Sequence, residues 1–308
     1  MLVLRTARGV VAERRGIGLD LVRPETRLDA GAEAREVLDE LHEKVIDLIA
    51  REEALDPRGA RRGDRTPPTP EQLGLSIEDR VSVASIAELA TRAAVRLLLA
   101  HRLDVPADQM RPELHFTNDL GADSLTRVDL VLLLEEALEV SVPDDSLSLV
   151  QSVGDAELFA VLFDRTREEI VLALGESAET LANDTPLVSV GDRDGQAAIA
   201  AAARAVGTDL PSCRCTCETL KDAVRLAYLA VKVRGVLARS CGVDPATIDG
   251  DTVPETDLGL DPDRTRQVLA DLAETLEIDP KAATRSHRLT VAATVRAFAD
   301  ASIEASRG

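Results

Sequence analysis

Aromatic residues are almost missing from this chain. There is no tryptophan, one tyrosine and four phenylalanines, 2% of 308 residues once combined. Apolar residues still make up 45%, so the cores must be mostly Leu, Val, Ala and Ile, and the composition favours helices over strands. Cysteine is also scarce: four in a chain of this size do not make a disulfide framework. Positive charge is in deficit, with 36 Lys and Arg against 55 Asp and Glu and a net charge of −19. That argues against nucleic acid and anionic membrane surfaces as partners, and suits a protein that visits basic ones. No apolar run approaches the length of a membrane span. Arg5 and Arg8 interrupt the stretch where a signal peptide needs an unbroken apolar core. A cytosolic protein is the expectation. No Ser/His/Asp set, Gly-rich phosphate loop or paired-carboxylate cleft stands out, and His42, His101 and His287 are scattered. The chain is therefore not expected to be an enzyme, and its many acids read as solvated helix faces.

What is present centres on residues 116–139, FTNDLGADSLTRVDLVLLLEEALE. Asn118, Asp119 and Gly121 are turn formers. Asp123 and Ser124 are good N-cap residues, and a long apolar run follows. The Ser124 hydroxyl is thus expected at the mouth of a helix. There the unpaired N–H groups and the positive end of the dipole favour an anion such as a phosphodiester. At about 100° per residue, Leu130, Val131, Leu134 and Leu138 fall on one side of that helix. Leu125, Val128 and Leu132 fall roughly opposite, interleaved with Asp129, Glu135 and Glu136. One stripe can face a core. The other is an apolar strip edged with acid, suited to docking a basic partner.

This stretch resembles the acyl carrier protein family. The resemblance rests on Phe116, the run Asp119-Leu120-Gly121-Ala122-Asp123-Ser124-Leu125, and Val128-Asp129-Leu130-Val131. Glu135-Glu136, Val142-Pro143-Asp144-Asp145 and Ser152-Val153-Gly154-Asp155 follow at the expected spacing. It covers residues 88–164. It implies a 4′-phosphopantetheine arm on Ser124, flanked by Asp123 and Leu125, with Asp123 helping to position the metal of a phosphopantetheinyl transferase. The transferase supplies base, metal and coenzyme A, and the arm's thiol holds an acyl group as a thioester. His115, the nearest histidine in sequence, is expected in the loop.

The rest of the chain looks like degenerate copies of the same unit. The expected fold class is all-α, an array of four-helix carrier-like bundles with abutting or shared helices. The units are residues 1–86, with a Pro/Arg-rich insertion at 55–74, then 87–164, 165–225 and 226–308. Helices are expected at 2–13, 33–53, 85–101, 153–163, 168–181, 195–206, 218–239, 263–276 and 290–304. The helix at 85–101 can close the first unit and open the second. Arg23-Pro24-Glu25 echoes Arg111-Pro112-Glu113, and Asp257-Leu258-Gly259-Leu260-Asp261 echoes Asp119 to Asp123. Laid on the motif, the copies put Ala34, Arg193 or Asp194, and Pro262 at the serine position. None of these has a hydroxyl.

Cys213, Cys215 and Cys217 are close enough for a metal site, but the fourth ligand would be Cys241. An unbroken helix over 218–239 puts it roughly 33 Å away at ~1.5 Å per residue, so no metal is expected. The expected function is an acyl carrier for fatty-acid, polyketide or related biosynthesis, serving basic-surfaced acyl-transfer or synthase enzymes. The alternatives are a scaffold that organises biosynthetic enzymes, or an aminoacyl or peptidyl carrier.

Overall fold

The computed structural model describes residues 3–29, 32–55, 80–140, 142, 149–174, 219–279 and 290–306. Among them are nine helices and a single pair of short strands, so the chain is all-α in class. Contacts divide it into two compact units. One is Met1–Val140 with Gln151–Asp164; the other is Ser141–Val150 with Arg165–Gly308. All of the insertion at 55–74 but its first residue, most of the 165–225 segment and Cys213, Cys215 and Cys217 lie outside the described residues.

In the first unit, α1 (Val3–Arg15), α2 (Glu33–Leu55) and α3 (Val83–Leu103) pack on one another. Their common core includes Leu4, Val11, Val37, Leu41 and Ile86. Two strands unforeseen in the sequence, β1 (Arg27–Asp29) and β2 (Arg80–Ser82), pair antiparallel and lead into α2 and α3. Helix α3 is apolar nearly all round, with Ala87, Ala94, Val95, Leu98 and Leu99 all buried, the mark of a helix enclosed on several sides. It packs on α1 and α2 and also on α4 (Ser124–Leu138).

Helix α5 (Val153–Leu174) replaces the two helices expected at 153–163 and from 168. No Gly or Pro between Asp155 and Leu174 stops it. A capping box starts it: Ser152 Oγ accepts from Asp155 N–H at 3.1 Å, and Asp155 Oδ2 accepts from Ser152 N–H at 3.0 Å. Its acids are not a solvated face. Glu157 is fully buried, and Arg92 and Arg96 of α3 both reach its carboxylate. Asp164, also buried, accepts the Leu4 N–H at the start of α1 at 2.6 Å.

The second unit is built on α6 (Leu220–Cys241), which is unbroken and opened by a Thr219–Asp222 capping box. A short α7 (Pro254–Asp257), α8 (Pro262–Thr275) and α9 (Val291–Ser306) follow, and α6 packs on α8 and α9. Tyr228 is fully buried and donates its hydroxyl to the Leu149 carbonyl at 2.9 Å.

One backbone pattern occurs three times, with its turn and loop positions at identical spacing. Helices α1, α3 and α6 end at Gly16, Asp104 and Gly242, all with φ between 54° and 69°. Beyond each, a 5-residue-back bond closes the turn: Ile17 to Ala12, Val105 to Ala100, Val243 to Ala238. A 3₁₀ turn follows at Leu19–Leu21, Ala107–Gln109 and Pro245–Thr247. The first two residues of the closing helix then donate to that loop. Val83 and Ala84 bond Thr26 and Pro24; Val153 and Gly154 bond Leu114 and Pro112; Val291 and Ala292 bond Thr252 and Gly250. Arg8, Arg96 and Arg234 stand at the same place in the three opening helices. Arg8 and Arg234 donate to carbonyls of their own loops, whereas Arg96 takes Glu157.

The N-terminal occurrence of this backbone pattern differs at its second helix. Ala34, which the sequence laid over the serine, is fully buried beside Val37, Leu38 and Leu41. The loop before α2 is shorter, and each residue of difference turns the helix face by about 100°. Ala34 therefore belongs to the core and not to the helix mouth.

Candidate functional site

The loop before α4 is held from both ends. Phe116, buried, takes its N–H to the Gln151 carbonyl at 2.9 Å, next to a bridge between His115 and Ser152. The His115 N–H donates to Asp119 Oδ2 at 2.8 Å, and its Nε2 lies 3.2 Å from Gln151 Oε1. His115 thus belongs to the loop scaffold, as its sequence position suggested. Gly121 turns the chain at φ 66°, a value that favours glycine. The Ala122 N–H then reaches back to the Phe116 carbonyl at 2.9 Å. The chain enters the helix with Asp123 and Ser124 exposed.

Asp123 is the N-cap and Ser124 the first helical residue. The Asp123 carboxylate accepts the Thr126 N–H and the Thr126 hydroxyl, each at 2.7 Å. These bonds, led by the Thr126 N–H, hold the Asp123 carboxyl below its ordinary value of 3.8. A depressed carboxyl contributes stability above that ordinary value and loses it as pH falls through the lowered one. The Thr126 amide resonance should therefore titrate with a midpoint below 3.8; a midpoint at or above it would show that the cap is not formed. The carboxylate already occupies a first-turn donor that the sequence left for a phosphodiester. What the site offers outward is the Ser124 hydroxyl, unobstructed at a helix mouth.

Residues 93–157 match the family described as phosphopantetheine attachment site. This segment is a phosphopantetheine-attachment domain. Its 4′-phosphopantetheine is a covalent group, so the domain must present a side chain that can form a bond and stand clear of its neighbours. Ser124 meets both demands. Leu114, Phe116 and Ala122 place it, and the loop bonds above keep it there. One solved structure, the apo doublet acyl carrier protein from prodigiosin biosynthesis, is 18% identical over 70% of this chain and 82% of its own. Its TM-score is 0.24.

The two stripes of α4 separate cleanly. Leu130, Val131, Leu134 and Leu138 are buried in the attachment domain. Leu125, Val128 and Leu132 are exposed, Leu125 by 70% and Leu132 by 54%. The acids along them differ in kind. Glu136 is exposed and Glu135 half-buried, while Asp129 is paired with Arg102 of α3 at 3.3 Å. Arg102 is a partner for Asp129 that the helix sequence alone does not reveal. No group of acids, cysteines and histidines able to hold a metal occurs among the described residues. Cys241 is a free thiol, raised in pKa by burial. No described helix is long and apolar enough to cross a membrane.

Proposed function

We propose that the attachment domain is an acyl carrier, loaded at Ser124, and that the chain is not itself a catalyst. The exposed hydroxyl as first residue of a capped helix is the observation that supports this. In loading, the Ser124 oxygen bonds the β-phosphorus of coenzyme A, 3′,5′-adenosine bisphosphate leaves, and the hydroxyl proton passes to a base of the transferase. When bound, the arm supplies a thiol that holds acyl groups as thioesters. The chain's own contribution is to fix the anchor and offer a surface. Fatty-acid, polyketide and related pathways in the cytoplasm suit this reading, with transferase and basic-surfaced synthase or acyl-transfer enzymes as partners. The acid-edged strip and the Asp-Ser-Leu run favour an acyl over a peptidyl cargo. Intact mass after incubation with coenzyme A, magnesium and a broad-specificity phosphopantetheinyl transferase tests it. One added arm is expected; none on folded protein refutes it.

The same reading assigns Leu125, Val128 and Leu132 to partner docking, with Glu136 and Glu135 at the edge. A leucine buried in an interface is worth about 1.5–3 kcal/mol. Leu132→Ala should weaken a partner's grip about tenfold or more, seen as raised KM for the loaded carrier at unchanged melting temperature. Unchanged KM for Leu125→Ala and Leu132→Ala alike would remove the strip from the interface.

A further inference from the structure

The loop before α8 repeats several backbone bonds of the loop before α4, although Pro254 has no N–H for the bond that Phe116 makes to Gln151. The Val253 N–H donates to Asp257 Oδ2 at 2.7 Å, as His115 does to Asp119. The Leu260 N–H reaches the Pro254 carbonyl at 3.1 Å, as Ala122 reaches Phe116. Gly259 and Gly121 share φ 66°. Asp261 caps α8 as Asp123 caps α4. A left-handed residue follows each helix, Glu277 and Glu139, with φ 55° and 54°. Together with the shared turns and closing-helix bonds, this fixes the correspondence residue by residue. Pro262 stands where Ser124 does. Asp263, Arg266 and Ala270 stand where Leu125, Val128 and Leu132 do. Where the attachment domain shows an exposed apolar strip, the C-terminal unit shows an exposed Asp263–Arg266 ion pair.

We infer that residues 219–279 and 290–306 form a second carrier fold kept without its attachment chemistry and without its docking strip. A transferase therefore meets no serviceable helix mouth in this part of the chain. Proline at the first helical position preserves the helix while removing the hydroxyl. Two of the three strip positions are charged and the third is the small, half-buried Ala270, so a partner that grips Leu125 and Leu132 finds no large apolar side chain to bury. The unit is architecture, not a spare docking site. The inference rests on the carrier reading of Ser124, and the test separates the two.

Wild type, Pro262→Ser and the triple variant Pro262→Ser, Asp263→Leu, Arg266→Val would be incubated with transferase, magnesium and coenzyme A, each also with Ser124→Ala. Wild type should take one arm. The triple variant should take two, and one in the Ser124→Ala background, at least tenfold faster than Pro262→Ser alone. A folded triple variant that takes only the Ser124 arm overturns the inference and leaves the carrier reading standing. Wild type without an arm overturns both. If the triple variant loses its thermal transition, the reverse exchange decides. Ser124→Pro with Leu125→Asp must lose the arm and keep the cooperative melt; collapse of that melt would show that the two helix mouths are not equivalent.

Discussion

Ser124→Ala should abolish arm addition and leave stability within about 0.5 kcal/mol of wild type, the usual range for an exposed residue outside special features. The two expectations come from one observation: Asp123, not Ser124, caps α4. Its carboxylate takes the Thr126 N–H and hydroxyl, so the serine oxygen is not engaged in holding the helix end. Alanine is the best residue for a helix interior and harmless at its first position. Function and fold are thus separable at adjacent residues. Asp123→Ala gives the complementary result: the hydroxyl stays, the melting temperature falls, and loading slows because the helix mouth frays. Intact mass reads the first effect and thermal melting the second. An arm on Ser124→Ala would place the attachment elsewhere, and a large loss of stability in it would mean that the serine is structural.

Glu157→Ala should cost about 3 kcal/mol, the largest loss of stability expected from one substitution here. Removing one member of a buried ion pair leaves its partners desolvated and unmatched, at about 3–5 kcal/mol. The lower end applies because Arg92 keeps 28% of its side chain exposed and retains Glu88 at 2.8 Å. Arg96, 14% exposed, loses the ion pair that ties it to α5. Glu88→Ala is the control. It breaks a half-buried i,i+4 pair within α3 with the same Arg92 and should cost only about 0.5 kcal/mol. Urea denaturation followed by circular dichroism compares them. Equal midpoints for the two variants would show that the Glu157 cluster does not hold α5 to α3.

The attachment site was legible because its signals are local. A turn glycine, a capping aspartate and helical periodicity act over a few residues, so Gly121, Asp123 and the two stripes of α4 stand where the sequence puts them. Long-range pairing is not local. The Arg102–Asp129 pair, the burial of Glu157 among arginines and the β1–β2 pairing join residues far apart in the chain. An acid read alone looks solvated. The burial of Ala34 has a related cause: the order of residues in a motif does not set which way a helix faces once the loop before it is shortened. A usable signal was present in the opening helices. Arg8-Gly9-Val10-Val11-Ala12, Arg96-Leu97-Leu98-Leu99-Ala100 and Arg234-Gly235-Val236-Leu237-Ala238 share an arginine followed by three mostly apolar residues and an alanine. Aligning on it fixes the repeat spacing that the loops then obey.

Helix α3 belongs to two neighbourhoods at once, and this sets where the chain can be cut. The family match begins at residue 93, inside that helix. A fragment started there lacks the N-cap at Ser82 and the first turns of its own first helix. One started at Val83 keeps the helix but strips α1 and α2 from Val83, Ile86, Ala87 and Ala90, all buried in the whole chain. Either fragment exchanges an interior for a greasy outer wall, beside the apolar strip that already faces water. The carrier is in this sense not a module that can be lent out: its anchor comes with the N-terminal bundle attached, and the arm swings from a base several helices wide.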